Sequence, residues 1–223
     1  MNKVIKYTLL FFLLFSFNNS FSQKNKKDSK NESSLYSGLK FRSVGPAFMS
    51  GRIAEIAINP ENENEWYVAV GSGGAWKTVN AGTTWEPLTD NQSFYSTGSI
   101  TIDPNNTSTI WLGTGENVGG RHVGIGKGVF VTKDGGKTWK NKGLNNSEHI
   151  SKIIVNKKDS NIVFVASQGP LWSSGGERGL YKSIDGGSNW NLVLSVNEWT
   201  GVTDVVVDPR DENIMYAATW QRH

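Results

Sequence analysis

Four glutamates, Glu116, Glu148, Glu177 and Glu198, lie in Gly-, Asn- and Ser-rich stretches of the chain. Glycoside hydrolysis needs two carboxylates on opposite sides of the scissile bond, one of them a proton donor. Glu116 and Glu148 are the catalytic candidates for that chemistry, and the glycines around Glu116 would let a ligand approach closely. Arg52, Arg121, Arg178, His122 and His149 are candidates for receiving an anionic group. Trp172 and Trp199 offer flat apolar faces for a sugar ring or an aromatic side chain. His122 and His149 do not fall in a metal-ligand spacing, so no metal is expected. The sequence shows no Ser–His–Asp pattern and no phosphate loop, and no cofactor is expected. The stretch 71–74 (Gly-Ser-Gly-Gly) reads as a turn between strands.

The elements that must position these residues are announced by a stretch that the chain repeats. It runs 131–139 (Val-Thr-Lys-Asp-Gly-Gly-Lys-Thr-Trp), again at 182–190, and in altered form at 77–85. The frame is a hydroxyl residue, Asp or Asn, Gly and Trp: Thr78/Asn80/Gly82/Trp85, Thr132/Asp134/Gly136/Trp139 and Ser183/Asp185/Gly187/Trp190. Asn80, Asp134 and Asp185 are 54 and 51 residues apart, a spacing typical of repeat architectures. The Asp or Asn side chain can accept hydrogen bonds from its own turn. Gly permits the positive φ of a tight hairpin, and the Trp brings a large apolar surface to the next repeat. A residue that recurs once per repeat serves the repeat, so Asp134 and Asp185 are read as structural rather than catalytic.

Pro60, Pro104, Lys157 and Pro209 align four copies of one unit. Ahead of each anchor an alternating strand places Ile56/Ile58, Ile100/Ile102, Ile153/Val155 and Val205/Val207 on one face. Behind it come a polar turn and a second strand marked by Tyr67, Trp111, Phe164 or Tyr216. A third strand carries Trp76, Phe130 or Tyr181 and ends at the hairpin, and a fourth begins at the Trp. Four antiparallel strands per repeat predict an all-β fold, a β-propeller of four-stranded blades. Three blades are complete and a fourth is begun, about three and a half in all. Such an array cannot close a ring, so residues 39–223 are expected to be the N-terminal blades of a longer protein, with the remaining blades downstream.

Residues 1–22 read as a signal peptide: Lys3 and Lys6, then an apolar run over 8–17 too short to span a bilayer, then small residues before Gln23. Residues 23–38 form a polar spacer, expected to be disordered. The product is expected to be secreted or held in the periplasm or cell envelope, with no membrane span once the leader is cleaved. The chain has a net charge of +3 and no cysteine. Lys3 and Lys6 supply two of those charges. Lys24, Lys26, Lys27 and Lys30 against Asp28 and Glu32 supply two more, which leaves −1 for residues 35–223. That near-neutral balance gives no footing for nucleic-acid binding.

Residues of the hairpin's type and spacing resemble the Asp box, or BNR repeat, of sialidases, sortilin-type propellers and several glycoside-hydrolase propellers. The stretch 41–53 together with 113–117 and 147–150 is similar to a group of large secreted bacterial proteins described as BNR-repeat or sortilin-N-terminal-like, and often named glycosyl hydrolases. The resemblance covers residues 39–223 and implies a propeller with a peptide or glycan ligand. Phe41-Arg-Ser-Val-Gly-Pro also resembles the sialidase Phe-Arg-Ile-Pro segment, but Ser43 replaces its Ile and the Pro is displaced. Residues 70–76 resemble a segment of xyloglucan-active propellers in which a catalytic Asp precedes Gly-Gly by two positions; that place is Gly71 here.

Propeller geometry sorts the loops onto two rims. The loops from second to third strand, and from each blade to the next, share one rim and carry the unusual residues, which makes it the expected binding face. Two functions fit: a binding or scaffold module of sortilin type that presents a peptide- or glycan-binding rim, or a glycoside hydrolase that uses rim carboxylates.

Overall fold

The computed structural model describes residues 52–117 and 123–222. The leader and spacer expected over 1–38, the segment 39–51, and Arg121 and His122 lie outside the described residues. Within them there are fourteen strands and no helix. The first sheet comprises β1 (Ile53–Ile58), β2 (Trp66–Val70), β3 (Gly74–Thr78) and β4 (Glu86–Pro87). The second comprises β5 (Thr97–Asp103), β6 (Asn106–Thr114), β7 (Val129–Thr132) and β8 (Lys140–Asn141). The third comprises β9 (Ile150–Val155), β10 (Val163–Ser167), β11 (Gly179–Ser183) and β12 (Asn191–Leu194), and β13 (Thr200–Asp208) with β14 (Asp211–Gln221) forms a two-stranded sheet. Strands follow one another in sequence order within every sheet, all antiparallel. These are three complete propeller blades and the inner half of a fourth.

The repeated hairpin joins the third and fourth strands of each blade through side chains. Thr132 Oγ1 donates to Asp134 Oδ1 (2.6 Å) and accepts from the Gly136 N–H (3.0 Å), while Asp134 Oδ1 accepts from the Thr138 N–H (2.9 Å). Ser183, Asp185, Gly187 and Asn189 repeat the arrangement, as do Thr78, Asn80, Gly82 and Thr84. The two central turn residues have positive φ, 70° and 98° at Gly135 and Gly136. In the first copy Ala81 occupies the left-handed position (φ 52°), which costs a Cβ-bearing residue strain that glycine escapes. The Trp lies one residue before the fourth strand, not inside it. Its indole turns instead to the preceding blade: Trp139 Nε1 donates to the Leu88 carbonyl (3.1 Å) and Trp190 Nε1 to the Lys142 carbonyl (2.6 Å).

Blades pack face to face. Ile100 and Ile102 of the second blade meet Tyr67 and Ala69 of the first, and Ile153 and Val155 of the third meet Trp111 and Val131 of the second. The alternating positions of each first strand therefore face the preceding blade. In the first blade the same positions, Ile56 and Ile58, are about half exposed, since the described residues place no blade on that side. Polar bonds stitch the inner strands together. Glu55 on β1 pairs with Lys152 on β9, and its Oε2 accepts from the Ser99 hydroxyl (2.6 Å) and the Ile100 N–H (2.9 Å) on β5 between them. Ser151 Oγ donates to the Val202 carbonyl (2.9 Å) of the partial blade.

Candidate functional site

Backbone bonds show which loops share a rim. Gly73 donates to the Tyr95 carbonyl, Gly115 to that of Ser96 and Gly126 to that of Glu148. The first and third tie a loop after a second strand to the segment entering the next blade, and the second ties such a loop to the segment entering its own blade. On the other rim, Gly135 donates to the Ser108 carbonyl and Gly186 to that of Asn161, which ties the repeated hairpins to the first turns.

Arg52, Glu116 and His149 converge on the first rim. Glu116 follows β6 by two residues, is fully buried, and ion-pairs through Oε1 with Arg52 at the start of β1. Its Oε2 accepts from the Gly124 N–H (3.2 Å). A Cβ at Gly71 would lie 2.6 Å from Glu116 Oε1, so the carboxylate fills space that a side chain at position 71 would need. Half of the Arg52 side chain remains exposed to solvent (51%).

His149, at the entrance to β9, is 1% exposed and its Nδ1 lies 2.9 Å from the Glu116 backbone carbonyl. A carbonyl only accepts, so Nδ1 carries the proton. Burial pushes the His149 pKa down to about 4, against a smaller upward effect of that hydrogen bond. The imidazole is thus neutral near pH 7 and serves as a rim strut. Glu148 beside it is half-buried with a left-handed backbone (φ 59°). Its carbonyl accepts the Gly126 N–H (2.8 Å) and leaves room only for glycine at 115, where a Cβ would come within 1.8 Å.

The other candidates separate by role. Arg178 is 5% exposed, and its guanidinium donates to the carbonyls of Gly175 (2.7 Å), Gln168 (2.9 Å), Pro170 and Ser173. It holds the 168–178 loop in shape, and its fifth N–H donates to the Trp199 carbonyl (3.4 Å), so every donor of the guanidinium is engaged. Glu177 is engaged too, accepting from the Asn146 N–H (2.7 Å). Trp172, carried on that same loop, is 71% exposed. Trp199 is half-buried beside it, for the loop's Gly175 donates to the Glu198 carbonyl (2.8 Å).

Sequence reasoning passed over several rim groups. Gln168 Nε2 donates to the Asn117 carbonyl (2.8 Å), bridging the second and third blades. Arg222 stacks on the Trp220 ring (4.0 Å) and its charge reaches His149. Among the described residues, Asn117 Oδ1, Ser147 Oγ, Thr200 Oγ1, and Arg222 Nε and Nη2 are buried without a hydrogen-bond partner. The available signal was register: counted from Pro104 and Pro209, Asn117 and Arg222 hold the same repeat position. The described residues contain no cluster of three or more His, Cys, Asp or Glu able to hold a metal ion.

No protein-family model matches the chain. A curated protein of Neosartorya fischeri, described as a "probable oligoxyloglucan-reducing end-specific xyloglucanase", is 25% identical over 186 residues, covering 74% of this chain and 21% of that protein. Among solved structures, an ancestral GH74 enzyme superposes with a TM-score of 0.58 at 20% identity, over 77% of this chain and 22% of that one. The propeller YCF48 bound to the D1 peptide superposes with a TM-score of 0.50 at 15% identity, over 77% of this chain and 50% of that one. The chain is a β-propeller array of the same fold, and it spans about a fifth of the length of the curated relative.

Proposed function

We propose that the chain is an exported propeller module whose rim, around Arg52, Trp172 and Trp199, binds a glycan. The state of Glu116 carries this reading. Its carboxylate is wholly buried, with one oxygen on the Arg52 guanidinium and the other on the Gly124 N–H, whereas a general acid must reach the leaving oxygen of a bound substrate. Glu116 instead orients Arg52, half of whose side chain faces solvent on this rim. Trp172 supplies a stacking face, and the rim's buried polar groups with hydrogen-bonding capacity left over suit a ligand rich in hydroxyls. The likeness to a protein described as acting on xyloglucan favours a glycan over a peptide.

The same likeness, with the half-buried Glu148 carboxylate on this rim, supports a second reading as a glycoside hydrolase. Calorimetric titration with xyloglucan oligosaccharides tests the first. Trp172→Ala should weaken binding about tenfold, the loss of one stacking contact, with the melting temperature unchanged. Equal affinities for the two proteins would remove Trp172 from the site.

A further inference from the structure

The seam between the first and second blades is closed by apolar side chains. Leu88, the third residue after Trp85, packs beneath Gly136, where an added Cβ would meet it at 2.8 Å. In the same cluster Phe94 stacks on Phe130, with ring centroids 4.5 Å apart. The seam between the second and third blades is built on the same backbone contact, for Trp139 donates to the Leu88 carbonyl and Trp190 to that of Lys142. Its side chains differ at all three of those positions. Lys142 stands where the first seam has Leu88, and Tyr181 where it has Phe130. Counted back from Pro104 and Lys157, Ser147 stands where it has Phe94. Serine supplies no ring, and a lysine keeps its ammonium near water where a leucine would bury its methyls.

A groove of about 600 Å³ lies along this second seam, and Lys140, Lys142, Asn145, Asn146, Tyr181 and Trp190 are among its walls. Among the described residues neither the Lys140 nor the Lys142 ammonium has a carboxylate partner. Lys142 is half-buried, and burial first, then the charges of Lys140 and Lys133, push its pKa down against a smaller effect of Asp185. Its charge lacks compensation. Burial and the Glu177 charge push the Tyr181 hydroxyl up, so it stays a donor. Asn145 Oδ1 accepts from Asn141 Nδ2 (2.9 Å), which leaves the Asn145 amide nitrogen to donate elsewhere. Glu177, held by the Asn146 N–H (2.7 Å), adds a carboxylate acceptor to the wall.

We propose that this groove, apart from the rim, is a second binding site and takes an anionic saccharide, a sugar that carries a carboxylate or sulfate group. The anion meets Lys140 and Lys142, and the sugar hydroxyls meet the Asn145 and Asn146 amides, Tyr181 and Glu177. A saccharide fits better than an acidic peptide. Leu144 is the one aliphatic side chain among the described groove residues, which offers little to apolar peptide side chains, whereas amides and hydroxyls supply the mixed donors and acceptors that sugar hydroxyls need.

Calorimetric titration of the full chain with trigalacturonate, its methyl ester and a sulfated galactose trisaccharide tests this. At least one acidic probe should bind, and the stronger of the two tells which anion the groove takes. Lys142→Leu restores the residue of the first seam. It should weaken that binding about tenfold or more, the loss of one charge-assisted contact, with the melting temperature unchanged or raised. Lys142→Gln, of similar length without the charge, should weaken it alike. Lys157→Leu makes the same change of charge at an exposed position outside the groove and should leave the affinity unaltered. Binding of neither acidic probe overturns the proposal, as does a methyl ester that binds as tightly as the acid, or an equal loss in Lys142→Leu and Lys157→Leu. A poly-glutamate peptide bound in preference to both acidic saccharides also overturns it and makes the groove a peptide site. The probes are not the xyloglucan oligosaccharides of the rim, so the two sites stand or fall separately.

Discussion

Replacing Thr132 by Val preserves the shape of a buried residue and removes one oxygen. That oxygen accepts from the Gly136 N–H (3.0 Å) and donates to Asp134 Oδ1 (2.6 Å). Thr132 is 1% exposed, so the Gly136 N–H loses its acceptor where water does not replace it. An orphaned buried donor costs about 1–3 kcal/mol. For a chain of this size, a loss of about 2 kcal/mol lowers the melting temperature by about 4–8 °C. The control is Thr138→Val. Thr138 Oγ1 also donates to Asp134, through Oδ2 (2.6 Å), but at an exposed position, so its loss should scarcely move the melt. There is a pH signature as well. The Thr132 hydroxyl first, then the hydroxyl and N–H of Thr138, hold the Asp134 carboxyl well below the usual carboxylate range. A carboxylate with a depressed folded pKa stabilises the fold above its unfolded pKa, and that contribution fades as pH falls below about 4. Thr132→Val removes the largest cause, so the gap between the two proteins should narrow on going from pH 7 to pH 3. Thermal melts followed by circular dichroism at both pH values read this out. Thr132→Val and Thr138→Val melting alike at pH 7 would refute the reasoning.

Two further outcomes follow from local geometry. Ala81→Gly relieves the left-handed strain at a position where the other hairpins carry Gly135 and Gly186, and should stabilise the chain by about 0.5–1 kcal/mol after the added unfolded-state entropy; denaturant melts check it, and destabilisation would contradict the strain argument. His149 has a folded pKa of about 4 against 6.5 unfolded, so the unfolded chain binds the extra proton between those values and stability falls as pH drops through that window, by up to about 3 kcal/mol. His149→Gln should flatten this part of the stability–pH profile, and an unchanged slope would mean that another group titrates there.

The repeat was legible because its signals are local. Period-two apolar alternation, turn glycines and one Trp per unit fix strands and hairpins within a few residues of each other, and β2, β6, β10 and β14 fall where Tyr67, Trp111, Phe164 and Tyr216 mark them. What neighbours each face was less legible. Ile56 and Ile58 show the same alternation as Ile100 and Ile102 yet stand in solvent, because burial depends on the adjoining blade and not on the strand. The site divides similarly. Arg52 and Glu116 are 64 residues apart in sequence, and register alone places both on the same rim, but no local pattern says that they pair. Nor does the sequence distinguish Arg178, caged by carbonyls of its own loop, from an arginine that offers its charge to a ligand. A loop arginine reads the same in both settings, and the difference lies in where the chain folds back.

The most direct test of a binding rim with a non-catalytic Glu116 is one proton NMR time course of a xyloglucan oligosaccharide in the presence of the protein. Saturation-transfer signals report binding and new anomeric resonances report cleavage in the same tube. The expected result is saturation transfer without new anomeric signals, weakened in Glu116→Gln as Arg52 loses the partner that orients it. New reducing-end resonances with the unaltered protein that vanish in Glu116→Gln, at an unchanged melting temperature, would contradict it and make Glu116 a catalytic acid.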